Sequence, residues 1–344
     1  MLTPPKWKAL RRRPVSIVPE ASTVRFPDLE KAAQTLADAD QIVLTCHIGP
    51  DGDAMGSMLA VAAAAVAAGK RVFPSFGPPV GYSPSLRFLA VELLVAHDQV
   101  PTEPEVMVSF DAGNIERLGG MAPIASKAGC LIVVDHHAQG SDGFGHLSII
   151  DPRAAASAEL AYLLIQAAGW SIDERIALSL LTGLVTDTGR FQYSNTTPGT
   201  LRLAADLVAA GARPEVIGQH VYEETPFGYL AVAGRVMQRA SLLPEAGLVW
   251  SVMFDEDLTA EGIGAADTDP LIDLIRLPIE AGAALLLKEH GPDVFKGSLR
   301  SRGVADVGAV AQALGGGGHR NAAGFTFHGS PEEAVEAVRG LLTG

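Results

Sequence analysis

The chain has 344 residues, which is long for one compact unit and favours two domains. Hydrophobic residues make up 48% and charged residues 19%, so the chain can bury a sizeable core and is not intrinsically disordered. The formal net charge of −13 argues against a protein that neutralises many phosphates along a long nucleic acid. A polyanionic substrate should therefore be small or be held by metal ions.

Residues 1–23 form a predicted basic arm. Its segment MLTPPKWKALRRRP carries five cationic residues and no acidic one, so removing these five from −13 leaves −18 for the remainder. The arm lacks the apolar core of a secretion signal, and we interpret it as a tail, with a contact to nucleic acid or to a partner subunit as the alternative. The most apolar stretch, 54–69, is shorter than the roughly 20 residues that a membrane span needs and predicts a buried helix.

The region 24–197 alternates short β-branched runs with helical patterns. The predicted strands are 41–46, 71–76, 105–110 and 130–135. The predicted helices are LEKAAQTLADA, the alanine-rich run after Met55, 157–169 and 173–187. This alternation predicts an α/β fold with a mostly parallel sheet and helices on both faces, on which ligands gather at the carboxyl ends of the strands.

The two cysteines, Cys46 and Cys130, lie in strand-like runs and lack the CxxC spacing. We expect both to be buried free thiols rather than a disulfide or a catalytic pair. This cysteine usage is typical of a cytoplasmic protein.

The pattern changes after 197. Residues 198–241 form a predicted helical connector, with turn chemistry at GARPE and ETPFG. Residues 242–344 form a predicted smaller α/β domain. Its expected strands are 247–254, 282–289, 294–301 and 322–328, and its expected helices lie near 306–314 and 331–342.

Acidic and imidazole side chains follow three of the predicted strands in the first domain. They are His47, Asp51 and Asp53 after the first strand, Asp111 after the third, and Asp135, His136 and His137 at the end of the fourth. Asp187 joins them from the end of a predicted helix. Because the carboxyl ends of parallel strands meet at one edge, we expect these side chains to lie close together.

Each of these residues also has a simpler interpretation. Asp51 or Asp53 could be a helix N-cap, Asp111 an ordinary turn residue, and Asp187 a helix cap. The histidine doublet could lie in a solvated loop. These alternatives weaken together, because chance does not readily place all of the side chains after consecutive strands.

Carboxylates and imidazoles without thiolates suit Mn²⁺ or Mg²⁺ better than structural zinc. Six candidate ligands exceed what one catalytic ion needs. Two ions roughly 3.5–4 Å apart would use them all.

Four motifs of the first domain, HIGPDGDAMG, FDAGN, VDHH and TGLVTDTGRF in this order, resemble those of the DHH phosphoesterase superfamily. GSLRS and GGGGHRNAAGF are similar to its DHH-associated C-terminal domain. The resemblance covers roughly residues 28–340. Within the superfamily, the two-domain layout is similar to that of the NrnA-type oligoribonucleases, or nanoRNases, which also remove the 3′-phosphate of 3′-phosphoadenosine 5′-phosphate.

The resemblance implies two ligand sets that share one carboxylate. The first ion would be held by His47, Asp51 and Asp111. The second would be held by Asp53, Asp111, His136 and Asp187. The predicted catalytic residues are the bridging Asp111, Asp135, which would orient an imidazole, and His137, which would face the substrate phosphate.

The second domain is expected to bind the substrate. Four glycines alone are more often a flexible linker than an anion cradle, and Lys288 and Arg302 are by default a solvated face. In the context of the resemblance, the predicted substrate-binding residues are Arg300, Gly316, Gly317, Gly318, His319, Arg320 and Asn321. An arginine there can bind a phosphate with two parallel hydrogen bonds.

We therefore predict a phosphodiesterase with two divalent cations, Mn²⁺ first and Mg²⁺ as the alternative. Its expected substrates are RNAs of about two to five nucleotides, cut to mononucleotides, and 3′-phosphoadenosine 5′-phosphate. A cyclic dinucleotide phosphodiesterase and a nucleotide sensor without turnover are the rivals. We expect neither a membrane nor a long nucleic-acid duplex as a partner. Formation of a homodimer is an open alternative.

Overall fold

The computed structural model describes residues 26–78, 81–137, 144–303 and 305–343, so the predicted basic arm lies outside the described residues. The first sheet contains β1 (Gln41–Cys46), β2 (Arg71–Pro74), β3 (Val106–Phe110), β4 (Cys130–Asp135) and β5 (Leu147–Ile150). Its spatial order is β2-β1-β3-β4-β5, and all neighbours pair in parallel. The predicted parallel sheet is confirmed. The sequence missed β5, because four residues show no usable periodicity.

The helices that accompany this sheet are α1 (Leu29–Asp38), α2 (Gly52–Ala67), α3 (Ala122–Ala125), α4 (Ser157–Ala167) and α5 (Glu174–Asp187). One face of the sheet packs against α1, α2, α4 and α5 in a single apolar core. The other face packs against α3 and the 3-10 segment Ile115–Met121. Helical segments therefore cover both faces, as predicted, but four of the five helices share one face.

Helices α2 and α5 pass unusually close to each other. A Cβ atom added to Gly56 would lie 2.4 Å from the Ser179 carbonyl oxygen, and one added to Gly183 would lie 2.5 Å from Asp53 Oδ1. Only glycine permits these approaches. This packing brings Asp53, in the first turn of α2, beside the end of α5 that carries Asp187.

Three helices lie in the segment 198–241: α6 (Pro198–Ala209), α7 (Pro214–Ile217) and α8 (Gly228–Gln238). A π-helical turn, Gly218–Glu223, follows α7. Buried residues of α6 and α7 pack in the core of the first sheet, whereas those of α8 pack against the second sheet.

The second sheet contains β6 (Ser241–Leu243), β7 (Leu248–Met253), β8 (Ala283–Glu289), β9 (Val294–Ser301), β10 (Gly317–His319) and β11 (Ala322–His328). Its order is β10-β11-β9-β8-β7-β6, with only β7 and β8 parallel among these described pairs. Its helices are α9 (Asp255–Glu261), α10 (Leu271–Ile275), α11 (Val307–Ala313) and α12 (Pro331–Thr343). Helices α11 and α12 cover one face, and α8, α9 and α10 cover the other.

Both cysteines are free thiols, as predicted. Cys46 is buried, but Cys130 is only half-buried because it begins β4. Within the described ranges, no helix has the length and apolar character needed to cross a membrane.

Candidate metal centre

The carboxyl edge of the first sheet gathers the acidic and imidazole side chains that the sequence singles out. His47 follows β1, Asp111 follows β3, and Asp135 ends β4 and leads into His136 and His137. Asp187 is the last residue of α5 rather than a capping residue. Asp111 has a left-handed backbone, with φ of 55°, which costs energy in a non-glycine residue and turns the chain sharply as it leaves β3.

The first group that could hold a metal ion is formed by His47, Asp51 and Asp111. His47 Nε2 lies 3.5 Å from Asp111 Oδ2 and 3.9 Å from Asp51 Oδ1. His47 Nδ1 lies 3.0 Å from the Ile48 carbonyl, which can only accept, so Nδ1 carries the proton. In the neutral ring, Nε2 is then the lone-pair nitrogen, as a metal-binding histidine requires.

Asp51 is also the N-cap of α2. Its Oδ1 accepts hydrogen bonds from the backbone N–H groups of Asp53 and Ala54, both at 3.0 Å. The capping interpretation is therefore correct for Asp51. It does not compete with a ligand role, because the capping contacts use one carboxylate oxygen.

The second group is formed by Asp53, His136 and Asp187. His136 Nε2 lies 3.3 Å from Asp187 Oδ2, 3.4 Å from Asp111 Oδ1 and 3.8 Å from Asp53 Oδ2. His136 Nδ1 donates to the Ala154 carbonyl at 3.2 Å, which fixes the tautomer as it does for His47. The two carboxylate oxygens of Asp111 thus face one histidine of each group.

A third group, Asp111, His136 and His137, also has ligand atoms close enough to hold a metal ion. His137 Nδ1 lies 2.7 Å from Asp135 Oδ1 and 3.5 Å from Asp111 Oδ1. Asp135 Oδ1 also accepts the backbone N–H groups of His136 and His137, at 2.8 and 3.2 Å. Asp135 lies in none of the three groups and holds the His137 ring in place instead.

The first two residues of α4 hold two carboxylates of the centre through hydrogen bonds. Ser157 N donates to Asp53 Oδ2 at 2.6 Å, and Ala158 N donates to Asp53 Oδ1 at 2.9 Å. Ser157 Oγ donates to Asp111 Oδ1 at 3.0 Å. Asn195 Nδ2 connects the Ala155 and Asp187 carbonyls, at 2.9 and 3.1 Å. Sequence reasoning missed Ser157 and Asn195, because most of their contacts are distant in the chain.

Crowded carboxylates shift the ionisation equilibria of the centre. Burial raises the pKa of Asp53 well above its usual value, and the charges of Asp111 and Asp187 add to this. Burial likewise raises the pKa of Asp187 to about 7, with His136 opposing and Asp111 adding. Burial disfavours the charged form of Asp111, yet His136 and His47 outweigh it and lower its pKa. These carboxylates need added positive charge to ionise together.

The histidines respond in the opposite sense. Burial lowers the pKa of His47, but Asp111 and Asp51 outweigh it and raise the pKa to about 9. The same balance raises the pKa of His136, chiefly through Asp187 and Asp111 against burial, and that of His137 through Asp135. In the protein without metal, protonated histidine rings supply positive charge beside the carboxylates. A bound metal ion would supply that charge instead.

The donor set fits divalent cations. It offers carboxylate oxygens and imidazole nitrogens, at least one histidine in each group, and no thiolate, since Cys46 lies within β1. Asp51 and Asp187 are the least buried of the five carboxylates, so the groups remain accessible from one side.

The second sheet holds the residues expected to bind substrate. Gly317 to His319 form β10, which pairs with β11 in a hairpin whose turn is Arg320 and Asn321. The flexible-linker interpretation is therefore wrong. A Cβ on Gly316 would lie 2.1 Å from the Gly324 carbonyl oxygen, so close strand pairing requires glycine there.

The tip of this hairpin reaches the first half of the molecule. Asn321 Nδ2 donates to Ser194 Oγ at 3.5 Å, in the loop that follows Asp187. Arg276 Nη1 donates to the Tyr193 hydroxyl at 3.0 Å in the same loop. Arg300, on β9, is paired in register with Ala322 at the start of β11.

Two neighbouring cations have structural partners. Lys288 Nζ lies 2.8 Å from Asp269 Oδ1, and Arg302 donates to the carbonyls of Arg276 and Leu277. Both therefore stabilise the second half of the chain.

The family model of the DHH family N-terminal domain matches residues 41–184, and that of the DHHA1 domain matches residues 251–343. The chain is 35% identical over 309 residues to the bifunctional oligoribonuclease and PAP phosphatase NrnA of Thermus thermophilus, covering 88% of this chain and 90% of that protein. It is 28% identical to the Bacillus subtilis protein of that name, covering 90% and 96%. The crystal structure of an exopolyphosphatase-related protein from Bacteroides fragilis is similar, with a TM-score of 0.83, 25% identity, and coverage of 92% and 98%.

Proposed function

The chain belongs to the DHH family of phosphoesterases, hydrolases that act on phosphoester bonds, and we propose that it degrades short oligoribonucleotides. The substrates would be RNAs of about two to five nucleotides, cut to mononucleotides, with 3′-phosphoadenosine 5′-phosphate as a second substrate. The Thermus thermophilus and Bacillus subtilis relatives are both named for these two activities, as bifunctional oligoribonuclease and PAP phosphatase. We place this activity in the cytoplasm.

The observation that carries the proposal is the position of Asp111 between two ligand groups. Its two carboxylate oxygens lie 3.5 Å from His47 Nε2 and 3.4 Å from His136 Nε2. Two divalent cations, most readily Mn²⁺, would supply an activated water and offset the charge on the phosphate oxygens. The first would be held by His47, Asp51 and Asp111, and the second by Asp53, Asp111, His136 and Asp187.

The remaining residues of the edge would orient the substrate. Asp135 holds the His137 ring through Nδ1, so Nε2 is the nitrogen left to approach a phosphate oxygen. Asp135 and Asp111 raise the pKa of His137 against burial, which favours the protonated ring, and a protonated ring can donate from Nε2.

Residues in and beside the second sheet would bind the substrate. We propose that these substrate-binding residues are Arg300, Gly316, Gly317, Gly318, His319, Arg320 and Asn321. The contact between Asn321 and Ser194 supports this placement, because it brings the hairpin to the loop that begins at Asp187.

A substrate panel with Mn²⁺ tests the proposal. It should include a dinucleotide, RNA and DNA of several lengths, cyclic dinucleotides, 3′-phosphoadenosine 5′-phosphate and pyrophosphate. We expect release of mononucleotides from the shortest RNAs at the highest kcat/KM. Faster turnover of cyclic dinucleotides would favour that phosphodiesterase class, and tight RNA binding without release of mononucleotides would identify a sensor.

A further inference from the structure

Arg190 lies in the loop that leaves α5 directly after Asp187, within the TGLVTDTGRF motif, but it is neither a predicted metal ligand nor one of the expected substrate-binding residues. Its backbone N–H donates to the Val185 carbonyl at 2.7 Å, so the loop curls back over the end of the helix. The guanidinium carbon lies 4.7 Å from the centroid of the Tyr222 ring. Arg190 is exposed, and no ion pair between described residues includes it. Within the described ranges this cation has no carboxylate partner, and it follows Asp187 by three residues in the chain.

The backbone around Arg190 is strained. Gly189, Arg190 and Phe191 have φ angles of 54°, 64° and 62°, so two non-glycine residues adopt the left-handed conformation in succession. This conformation costs energy in every residue except glycine. Hydrogen bonds from the Phe191 N–H to Thr188 Oγ1, at 2.9 Å, and from the Tyr193 N–H to the Thr188 carbonyl, at 3.0 Å, hold the loop in place. Strain of this kind concentrates at functional sites.

Tyr222 belongs to a second uncommon element. It lies in the π-helical turn Gly218–Glu223, and such turns occur often at functional sites. The turn is anchored by His220, whose ring stacks on Phe88 with 5.0 Å between centroids and 10° between planes. Tyr222 itself packs against the core of the first sheet. Two rare backbone conformations therefore meet in one arginine–tyrosine pair.

The stacked pair has the chemistry of a phosphate site. A guanidinium that rests on an aromatic ring loses little conformational freedom when it binds a ligand, and its in-plane N–H groups match two phosphate oxygens. Burial raises the pKa of Tyr222 to about 12; Arg190 opposes this shift, and Asp273, Tyr193 and Asp187 add to it. Asp187 belongs to the second ligand group.

We propose that Arg190, positioned by Tyr222, binds a second phosphate of the substrate, beside the phosphate that is hydrolysed at the metal centre. This inference rests on the proposed function. The ligand is a phosphate that is not cleaved, such as the 5′-phosphate of a 5′-phosphorylated dinucleotide or of 3′-phosphoadenosine 5′-phosphate. The pair would then favour substrates that carry two phosphates close together.

The test compares substrates that differ only in the second phosphate. Kinetics with Mn²⁺ would use a 5′-phosphorylated dinucleotide and the same dinucleotide without its 5′-phosphate, with 3′-phosphoadenosine 5′-phosphate and 3′-adenosine monophosphate as the second pair. We expect Arg190→Ala to lower kcat/KM about tenfold or more on each two-phosphate substrate, mainly through KM. The one-phosphate substrates should change by about twofold or less.

Further variants separate positioning from charge. Arg190→Lys should recover part of the lost activity, because it keeps the charge without the planar fork. Tyr222→Phe should behave like the wild type, and Tyr222→Ala should show a smaller loss with the same substrate pattern. Arg202→Ala, which removes an exposed arginine from α6, is the matched control and should not discriminate between the substrates.

The outcomes distinguish this inference from the proposed function. Equal losses on one- and two-phosphate substrates, or no loss on either, would overturn the role of Arg190. If the wild type hydrolyses none of these substrates, the proposed function fails, and the Arg190 site is then tested by the binding of 3′-phosphoadenosine 5′-phosphate and of 3′-adenosine monophosphate, which lacks the 5′-phosphate. Weaker binding of the bisphosphate alone in Arg190→Ala would then support the site, and unchanged binding would contradict it.

Discussion

Two buried aspartates, one in each half of the molecule, are stabilised in opposite ways. Asp257, at the start of α9, receives Arg239 Nη1 at 2.5 Å, Nη2 at 2.9 Å and the Phe254 N–H at 3.0 Å. Burial would raise its pKa, but Arg239 outweighs burial and lowers it. Asp53 is fully buried, and the described hydrogen-bond donors to its carboxylate are neutral: the Ser57 hydroxyl and the backbone N–H groups of Ser157 and Ala158. Burial, Asp111 and Asp187 raise its pKa, and His136 opposes them.

The difference shows in which region the charge of a buried carboxylate is balanced by another side chain. The Arg239–Asp257 pair satisfies its own charge, as buried carboxylates normally must. The metal edge instead places several carboxylates where each raises the cost of ionising the others. The histidines lower the pKa of Asp111, but the pKa values of Asp53 and Asp187 stay raised, and bound divalent cations would offset this remaining cost.

The largest effect is expected for Asp111→Asn. This change keeps the shape of the side chain but removes one charge from both ligand groups, so it should lower kcat/KM on a dinucleotide by about a thousandfold. His47→Ala, which affects one group only, should cost less. Turnover of a dinucleotide by Asp111→Asn at a rate near that of the wild type would show that no shared ligand operates here.

Arg239→Ala should destabilise the second half without affecting the metal edge. It leaves Asp257 buried and unpaired, which we expect to cost about 3 kcal/mol in the free energy of unfolding, measured with urea at pH 7. The cost should be the same with and without Mn²⁺. Arg235→Ala breaks the more exposed pair with Glu261 and should cost at most about 1 kcal/mol.

The pH dependence of this cost has a defined sign. Because the folded-state pKa of Asp257 lies below its unfolded value, the pair stabilises the protein above that unfolded value, about 3.9, and the contribution is lost as the pH falls through the folded value. The difference in unfolding free energy between wild type and Arg239→Ala should therefore shrink below about pH 4. A difference that grows on acidification would contradict the assigned ion pair.

Substrate length should have a moderate effect. With −18 outside the arm, each added nucleotide brings a phosphate toward an acidic protein without a compensating contact. We expect kcat/KM for RNA of two to three nucleotides to exceed that for a 24-mer by about tenfold, or roughly 1.4 kcal/mol, at one fixed salt concentration. Removal of residues 1–13 is the control, since an arm that binds RNA would matter only for the long strand. Equal degradation of the 24-mer would indicate an exonuclease for long strands.

The smallest effect is expected for Ser157→Ala. It removes the hydroxyl that donates to Asp111 but keeps the backbone N–H that donates to Asp53. We expect a loss of about fivefold to tenfold in kcat/KM, or roughly 1–1.4 kcal/mol, the usual net contribution of one hydrogen bond, and recovery in Ser157→Thr. A loss as large as that of Asp111→Asn would place Ser157 in direct contact with the reacting groups.

The sequence predicts the parts of the site that local patterns determine. Asp111 and His136 follow β-branched runs, and the carboxyl ends of parallel strands must share an edge. It could not predict the roles of Ser157 and Asn195, because most of their partners are distant in the chain and all of these contacts depend on how α4 and α5 pack.

The glycine hairpin shows the same limit in the second half. The run GGGG has no strand propensity, and β10 forms because Gly316 and Gly318 permit a close approach to β11 that no side chain would allow. The domain boundaries at 198 and 242 and the residue roles in substrate binding stay predictions.

The number of Mn²⁺ ions bound per chain tests the central claim most directly. Calorimetric titration of the metal-free protein should show two ions per chain for the wild type and one for Asp53→Asn, which keeps the shape of the side chain and one of the two oxygens that accept the N–H groups of Ser157 and Ala158. Asp257→Asn, matched in chemistry but placed in the other region, should still bind two. A wild type that binds one ion or none, or an Asp53→Asn variant that still binds two, would contradict the assignment of this edge as a two-metal centre.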